Sequence, residues 1–329
     1  MRNLITDVAG LKVGHAEDIR LGSGSTAVIF DAPAVASIDL RGGGPGTRET
    51  ALLDPAQTVE GIDAITLSGG SAFGLDAASG VQAWLREQGR GFAVRSARVP
   101  IVPAAILFDL LSGGNKNWGR FPPYRDLGYA AAAGASLDFA LGSVGAGAGA
   151  TTVNCKGGIG SASAQSPDGS VIGALAAVNA AGSVIVGSGP WFWAAPFEVG
   201  EEFAGRGLPA KFPASALEPR TKGSARESTT LVVVATDAVL TKAQAKRLAV
   251  MAQSGLSRAI YPVHSPLDGD VVFAASTGRR PLADATVGLT HLGALAANVV
   301  ARAIARGVFA ATALPLPSAM PSWQDQFGR

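Results

Sequence analysis

Ser228-Thr229-Thr230-Leu231-Val232-Val233-Val234-Ala235-Thr236-Asp237 sets three hydroxyl residues directly before an apolar run. A Val-rich run of this length reads as a buried strand. Just beyond it, Thr241 and Gln244 have the spacing of a helix capping box. Leu248, Met251, Ala252 and Leu256 then form one helical stripe. The junction also carries chemistry. If the Ser228–Thr229 bond is cut, Thr229 becomes a new N-terminus. Its α-amine, with a pKa of about 7.7–8.0, can serve as base for its own hydroxyl. Ser228 and Thr230 compete for that role, and a Thr opening a strand is also an ordinary β-former.

Other short β-rich runs are Thr26–Phe30, Ser37–Leu40, Ala64–Leu67, Phe92–Arg95, Val171–Val178, Ser183–Val186 and Val271–Ala274. Helical patterns lie between them. Leu75, Ala78, Val81 and Leu85 share a face that Gly89 can end, Leu127–Ala140 is Ala-rich, and a long helix spans Leu282–Arg306 up to Gly307. Strands and helices mix throughout without strict βαβ alternation, which predicts a layered α/β fold and disfavours a simple doubly wound sheet. The proline-rich stretch 189–228 reads as a surface linker, and the tail after Leu314 as irregular.

Charged residues make up only 16% of the 329, against about 25% in ordinary globular chains, so some surface is expected to be covered by sister subunits. The net charge of +2 has no dominating Lys/Arg cluster, which argues against nucleic acid and anionic membranes as partners. Cys155 is the only cysteine, so an intrachain disulfide and a multi-thiolate metal site are excluded. His15, His264 and His291 lack metal-ligand spacing, and His264 and His291 read as structural. The N-terminus lacks the apolar stretch of a signal peptide, and the runs around 171–188 read as a strand pair, so a cytoplasmic protein is expected.

Four further features can carry chemistry. Ser68-Gly69-Gly70-Ser71 lies between a strand and a helix, where backbone N–H groups can face an oxyanion; the alternative is a tight turn. Asp268-Gly269-Asp270 precedes a strand and can orient an amine or share a proton; the alternative is an Asp-Gly turn. Asn179 interrupts an apolar run and can donate to an oxyanion, or belong to a hairpin turn with Gly182. Lys156, among glycines, can act as a base or cation when desolvated, or be a solvated loop residue. Trp191-Phe192-Trp193 can line a pocket or a subunit contact.

In order along the chain, Asp39–Glu49, Leu67–Asp76, Gly145–Ala150, Lys156–Ser163, Val178-Asn179, Thr229-Thr230 with Val234–Asp237, and Asp268–Asp270 resemble the self-cleaving aminopeptidases. That family includes L-aminopeptidase/D-amidase-esterases, β-peptidyl aminopeptidases and nylon-oligomer hydrolases. The resemblance implies a four-layer αββα sandwich of the ornithine-acetyltransferase-like type. It implies an α chain (1–228) and a β chain (229–329) that stay together, four such units forming a homotetramer. It matches Thr229 to the nucleophile, Asn179 to an oxyanion donor, Asp268 and Asp270 to the positioning acids, and Lys156 to the active-site lysine. It implies an acyl-enzyme route on small peptides or amides with no cofactor and no metal. Ser228 stands where relatives often have Asn or Gly. Two alternatives are an acyltransferase of the ornithine acetyltransferase type and an uncleaved, ligand-binding relative.

Overall fold

The structure, a computed structural model, describes residues 1–222, 228–282, 284–317 and 319–328. Its strands are β1 (Leu11–Asp18), β2 (Ser23–Leu40), β3 (Gly46–Arg48), β4 (Gly61–Ser68), β5 (Phe92–Val94), β6 (Ala97–Val99), β7 (Ala104–Ile106), β8 (Gly158–Gln165), β9 (Val171–Asn179), β10 (Thr229–Ala238) and β11 (Val271–Arg280). Its α-helices are α1 (Ala77–Glu87), α2 (Tyr124–Ala133), α3 (Lys242–Ala259), α4 (Val287–Phe309) and α5 (Trp323–Phe327). Apart from the β5–β6 hairpin, the strands form one hydrogen-bonded sheet in the order β3-β7-β4-β2-β11-β10-β9-β8, with β1 also on β2.

The long strand β2 makes this sheet two layers. Its first half pairs with β1 and most of β4, its second half with β11 and the start of β4, and the β4 register breaks between Ile29 and Ala34. Side chains alternate across a strand. Ala27 and Ile29 therefore pack on Val81 and Leu85 of α1 and Ala131 of α2, while Val28 and Phe30 face inward. That inner core also holds Leu231, Val233 and Ala235 of β10 and Phe273 of β11. Val232 and Val234 point the other way, onto Leu248 and Ala252 of α3 and Ala296 and Val300 of α4. The order is helix, sheet, sheet, helix, the expected αββα sandwich. β10 and β11, which follow Thr229, lie between β9 and β2, so both sides of that position build one sheet.

The α3 capping box forms as predicted, with Thr241 Oγ1 accepting from Gln244 N and Gln244 Oε1 accepting from Thr241 N. Several other expectations are corrected. Residues 183–186 are a buried loop with single bridges from Ser183 to Tyr261 and from Ile185 to Phe192, so 171–188 holds one strand. α2 stops at Gly134. Helix α4 begins at Val287 and continues through Gly307, because glycine there is a contact and not a stop. A Cβ on Gly160 of β8 would meet Ala303 O at 1.8 Å and Gly307 N at 2.4 Å, so helix and strand touch backbone to backbone.

The stretch 189–228 divides in two: residues 205–220 are mostly exposed, as expected of a surface excursion, whereas 190–204 contribute to the core; residues 223–227 lie outside the described ones. Phe192, Ala194 and Phe203 are core, and Phe192 stacks on Trp323 with centroids 5.6 Å apart. Glu202 accepts from Arg302 Nε at 2.5 Å and Asn3 Nδ2 at 2.6 Å. The tail is not irregular throughout: Ser322 caps α5, and Trp323 is buried. Of the aromatic triplet, Phe192 is a core residue, while Trp193 stacks on Phe212.

Candidate active site

Topology gathers the chemistry at one end of the sheet. β10 and β11 begin there, at Thr229 and just after Asp270; β9 ends there, at Asn179; β8 begins two residues after Lys156. Thr229 and Asn179 are direct partners across the antiparallel β10–β9 ladder. Opposed residues share a face, with Cβ atoms roughly 4.5–5.5 Å apart. Alternation places both with the inward-facing Leu231 and Ala177. Thr230 belongs to the opposite, helix-facing set and is fully buried, which separates it from Asn179.

Thr229 Oγ1 donates to the carbonyl of Ser228 at 2.6 Å, and Gly269 N donates to the same oxygen at 2.9 Å. The acidic pair divides its work. Asp270 Oδ1 accepts Thr230 N at 2.8 Å, and its Oδ2 faces His264 Nδ1 at 2.9 Å and accepts His264 N at 3.2 Å. Asp268 instead accepts from Ala181 N, Ser265 N and Ser265 Oγ, holding the loop that underlies the junction. Burial, and then the Asp270 charge, push its carboxyl above the usual carboxylate range.

Asn179 Nδ2 donates to Phe108 O at 3.0 Å; its Oδ1 accepts from Thr151 N at 2.9 Å and Lys222 Nζ at 3.0 Å. Lys156 is buried, with Nζ donating to Gly147 O and Gly157 O, both at 2.8 Å. Burial pushes its ammonium down to about 7; the Asp109 charge opposes the fall and Lys222 adds to it. A cleft of about 440 Å³ opens beside Asn179, lined by Leu111, Ser112, Thr151, Val153, Lys222 and Met320 among others. Lys156 borders a smaller pocket that shares Ser112, Thr151 and Met320 with that cleft.

The Ser68–Ser71 loop is a tight strand-to-helix turn. Its amides are engaged internally: Gly69 N with Gly24 O, Gly70 N with Asp109 Oδ1, Ser71 N with Leu107 O. Gly70 has φ +84°, and a Cβ there would meet the Tyr124 ring at 2.1 Å. Cys155 is buried and its thiol is pushed up to about 12, which fits a core residue.

Asp109, Lys222 and His264 have no site role in the sequence reading, and Gly269 enters it only between the two acids. Asp109 did carry a signal, an acid inside the apolar run Leu107-Phe108-Asp109-Leu110-Leu111. Buried, it accepts from Ser23 Oγ at 2.6 Å; burial holds its carboxyl above the usual range against the Ser23 bond and the Lys116 charge.

The profile described as Peptidase family S58 matches residues 3–319. The chain is 44% identical to a protein named an uncharacterized aminopeptidase of Mycobacterium tuberculosis, over 99% of this chain and 98% of the other. It is 25% identical to a 6-aminohexanoate-oligomer endohydrolase of a Kocuria species, covering 89% and 82%. The fold matches the L-aminopeptidase D-Ala-esterase/amidase of Ochrobactrum anthropi, an Ntn-hydrolase variant, with a TM-score of 0.72, 22% identity and 100% and 95% coverage. A Burkholderia β-aminopeptidase gives 0.70 at 21% identity, covering 99% and 92%. The chain therefore belongs to peptidase family S58, an enzyme family acting on peptide or amide bonds through an Ntn-hydrolase fold.

Proposed function

We propose that this aminopeptidase severs its own Ser228–Thr229 bond and then works through Thr229 as an N-terminal nucleophile on small peptides or amides. The observation that carries this reading is the 2.6 Å bond from Thr229 Oγ1 to the carbonyl of Ser228. It sets the hydroxyl against the one carbonyl whose cleavage would free the Thr229 amine. Once free, that amine takes the hydroxyl proton as the hydroxyl attacks a substrate carbonyl. Asn179, on the same face, donates to the oxyanion once substrate displaces its contact with Phe108 O. Asp270 holds the strand end through Thr230 N. Lys156, brought near neutrality by burial, receives or returns protons from the small pocket it borders. Water then opens the acyl-enzyme.

The cleft beside Asn179 is the substrate pocket in this reading, and the relatives named aminopeptidase and amide-oligomer hydrolase set the substrate class. Low surface charge favours a homotetramer of cleaved units. Intact mass measurement on purified protein tests the first step. Fragments 1–228 and 229–329 are expected, and Thr229→Ala should stay whole. Active protein that remains continuous through position 229 overturns the reading.

A further inference from the structure

Gly269 enters none of the roles above, yet it touches both partners of the junction. Its N–H donates to Ser228 O at 2.9 Å, beside the Thr229 hydroxyl on the same oxygen. A Cβ at 269 would stand 2.6 Å from Thr229 Oγ1 and 2.8 Å from Gly44 O. The backbone at 269 is not in the left-handed region, so close approach alone is what calls for glycine here. Asp268 anchors one side through Ser265 and Ala181, and Asp270 anchors the other through Thr230 and His264. The N–H is therefore aimed before any reaction begins, which is what an oxyanion donor requires.

We propose that the Gly269 N–H is the oxyanion donor of self-cleavage, distinct from the Asn179 amide assigned to substrate turnover. This rests on the cleavage reading above. Thr229 Oγ1 bonds to the Ser228 carbonyl carbon, and the π pair moves onto Ser228 O, where the Gly269 N–H holds it. The C–N bond then breaks, and the hydroxyl proton ends on the departing Thr229 nitrogen. The product is an ester between Ser228 and Thr229 Oγ1. Water cleaves it, giving OH to the Ser228 carboxyl and H to Thr229 Oγ1.

Replacing the Gly269 amide by an ester, with glycolic acid introduced during cell-free synthesis of the full chain, removes the N–H and adds no bulk. The appearance of 1–228 and 229–329 should slow by about 10²–10³-fold. Each chain that does split should hydrolyse an amide at the parental kcat. A matching ester at the open Gly278 controls for the substitution. A Gly269 ester chain that splits at the parental rate overturns the proposal while leaving the cleavage reading intact. A parent that never splits sinks both. Should the ester chain not fold, the Thr229→Ala chain carrying ¹³C at the Ser228 carbonyl and ¹⁵N at Gly269 decides. A scalar coupling across that N–H···O=C bond is expected. Its absence, with couplings across the β10–β11 ladder resolved, also overturns the proposal.

Discussion

His264 Nδ1 lies 2.9 Å from Asp270 Oδ2, so an imidazole outside the sheet fixes a carboxylate whose other oxygen holds Thr230 N at the strand's first turn of hydrogen bonding. His264 also gives its backbone N–H to Oδ2, at 3.2 Å, and adopts φ +56°, which non-glycine residues seldom take. Two bonds from one residue to a single carboxylate oxygen make it a brace for Asp270. His264→Phe should leave that buried carboxylate short of a donor, at a cost of about 1–3 kcal/mol. Self-splitting and amide hydrolysis should both fall by about 10–100-fold, and His264→Asn should recover part of the loss. Parental rates in His264→Phe would remove the brace from the mechanism.

Lys156 gives a pH signature with a definite sign. Unfolded, its ammonium keeps the proton to about 10.5; folded, burial lowers that to about 7. Between those values the unfolded chain binds more protons, so this group makes stability rise with pH. Below about 7 both states are protonated, the burial penalty is present in full, and the slope from this group vanishes. Chemical denaturation from pH 7 to 10 should show the rise in the parent, and Lys156→Met should flatten it. The Lys156 contribution to the acid limb of activity lies near pH 7, below that of the Thr229 amine at about 7.7–8.0. Asp109→Asn keeps an oxygen for Gly70 N but removes a charge that favours the ammonium, so the Lys156 limb of the stability profile should move to lower pH. A limb that moves upward would refute this coupling.

Asn179 is both a ladder residue and an amide donor, and the two uses separate kinetically. Its backbone pairs with Thr229 whatever the side chain. Asn179→Ala should therefore leave the sheet intact while kcat falls by about 10²–10³-fold. Loss confined to KM, with kcat unchanged, would assign the side chain to substrate binding instead.

The strands that carry the site were legible because β10, β9 and β11 are apolar runs, and Asn179 and Asp268-Gly269-Asp270 mark their ends. β8 was not. Gly158-Ile159-Gly160-Ser161 has the composition of a loop, and it is a strand because α4 needs bare backbone to lie against. The proline-rich stretch misled over residues 190–204 for the converse reason. Phe192 and Phe203 are spaced without period, yet both join the core that distant α4 and α5 build. The division of Asp268 and Asp270 between loop and strand, and the brace from His264, depend on contacts between chain segments that no local pattern encodes.

The Glu202 cluster offers a test of that packing away from the active site. Glu202 accepts from Arg302 Nε at 2.5 Å and Nη2 at 3.0 Å, lies 3.6 Å from Arg306 Nε, and accepts from Asn3 at 2.6 Å. Arg302 and Glu202 are both nearly inaccessible, with side chains 6% and 8% exposed, so neither cation can be rehydrated cheaply if the acid is lost. Removing one member of a buried ion pair typically costs about 3–5 kcal/mol, because the remaining charge stays desolvated. Glu202→Ala should accordingly lower the unfolding midpoint by several degrees, with kcat per split chain unchanged. Replacing Glu202 and Arg302 together by Leu and Met should restore much of the midpoint, since packing substitutes for the pair. A Glu202→Ala protein as stable as its parent would mean that the 198–203 segment is held by Phe203 and its aromatic neighbours alone.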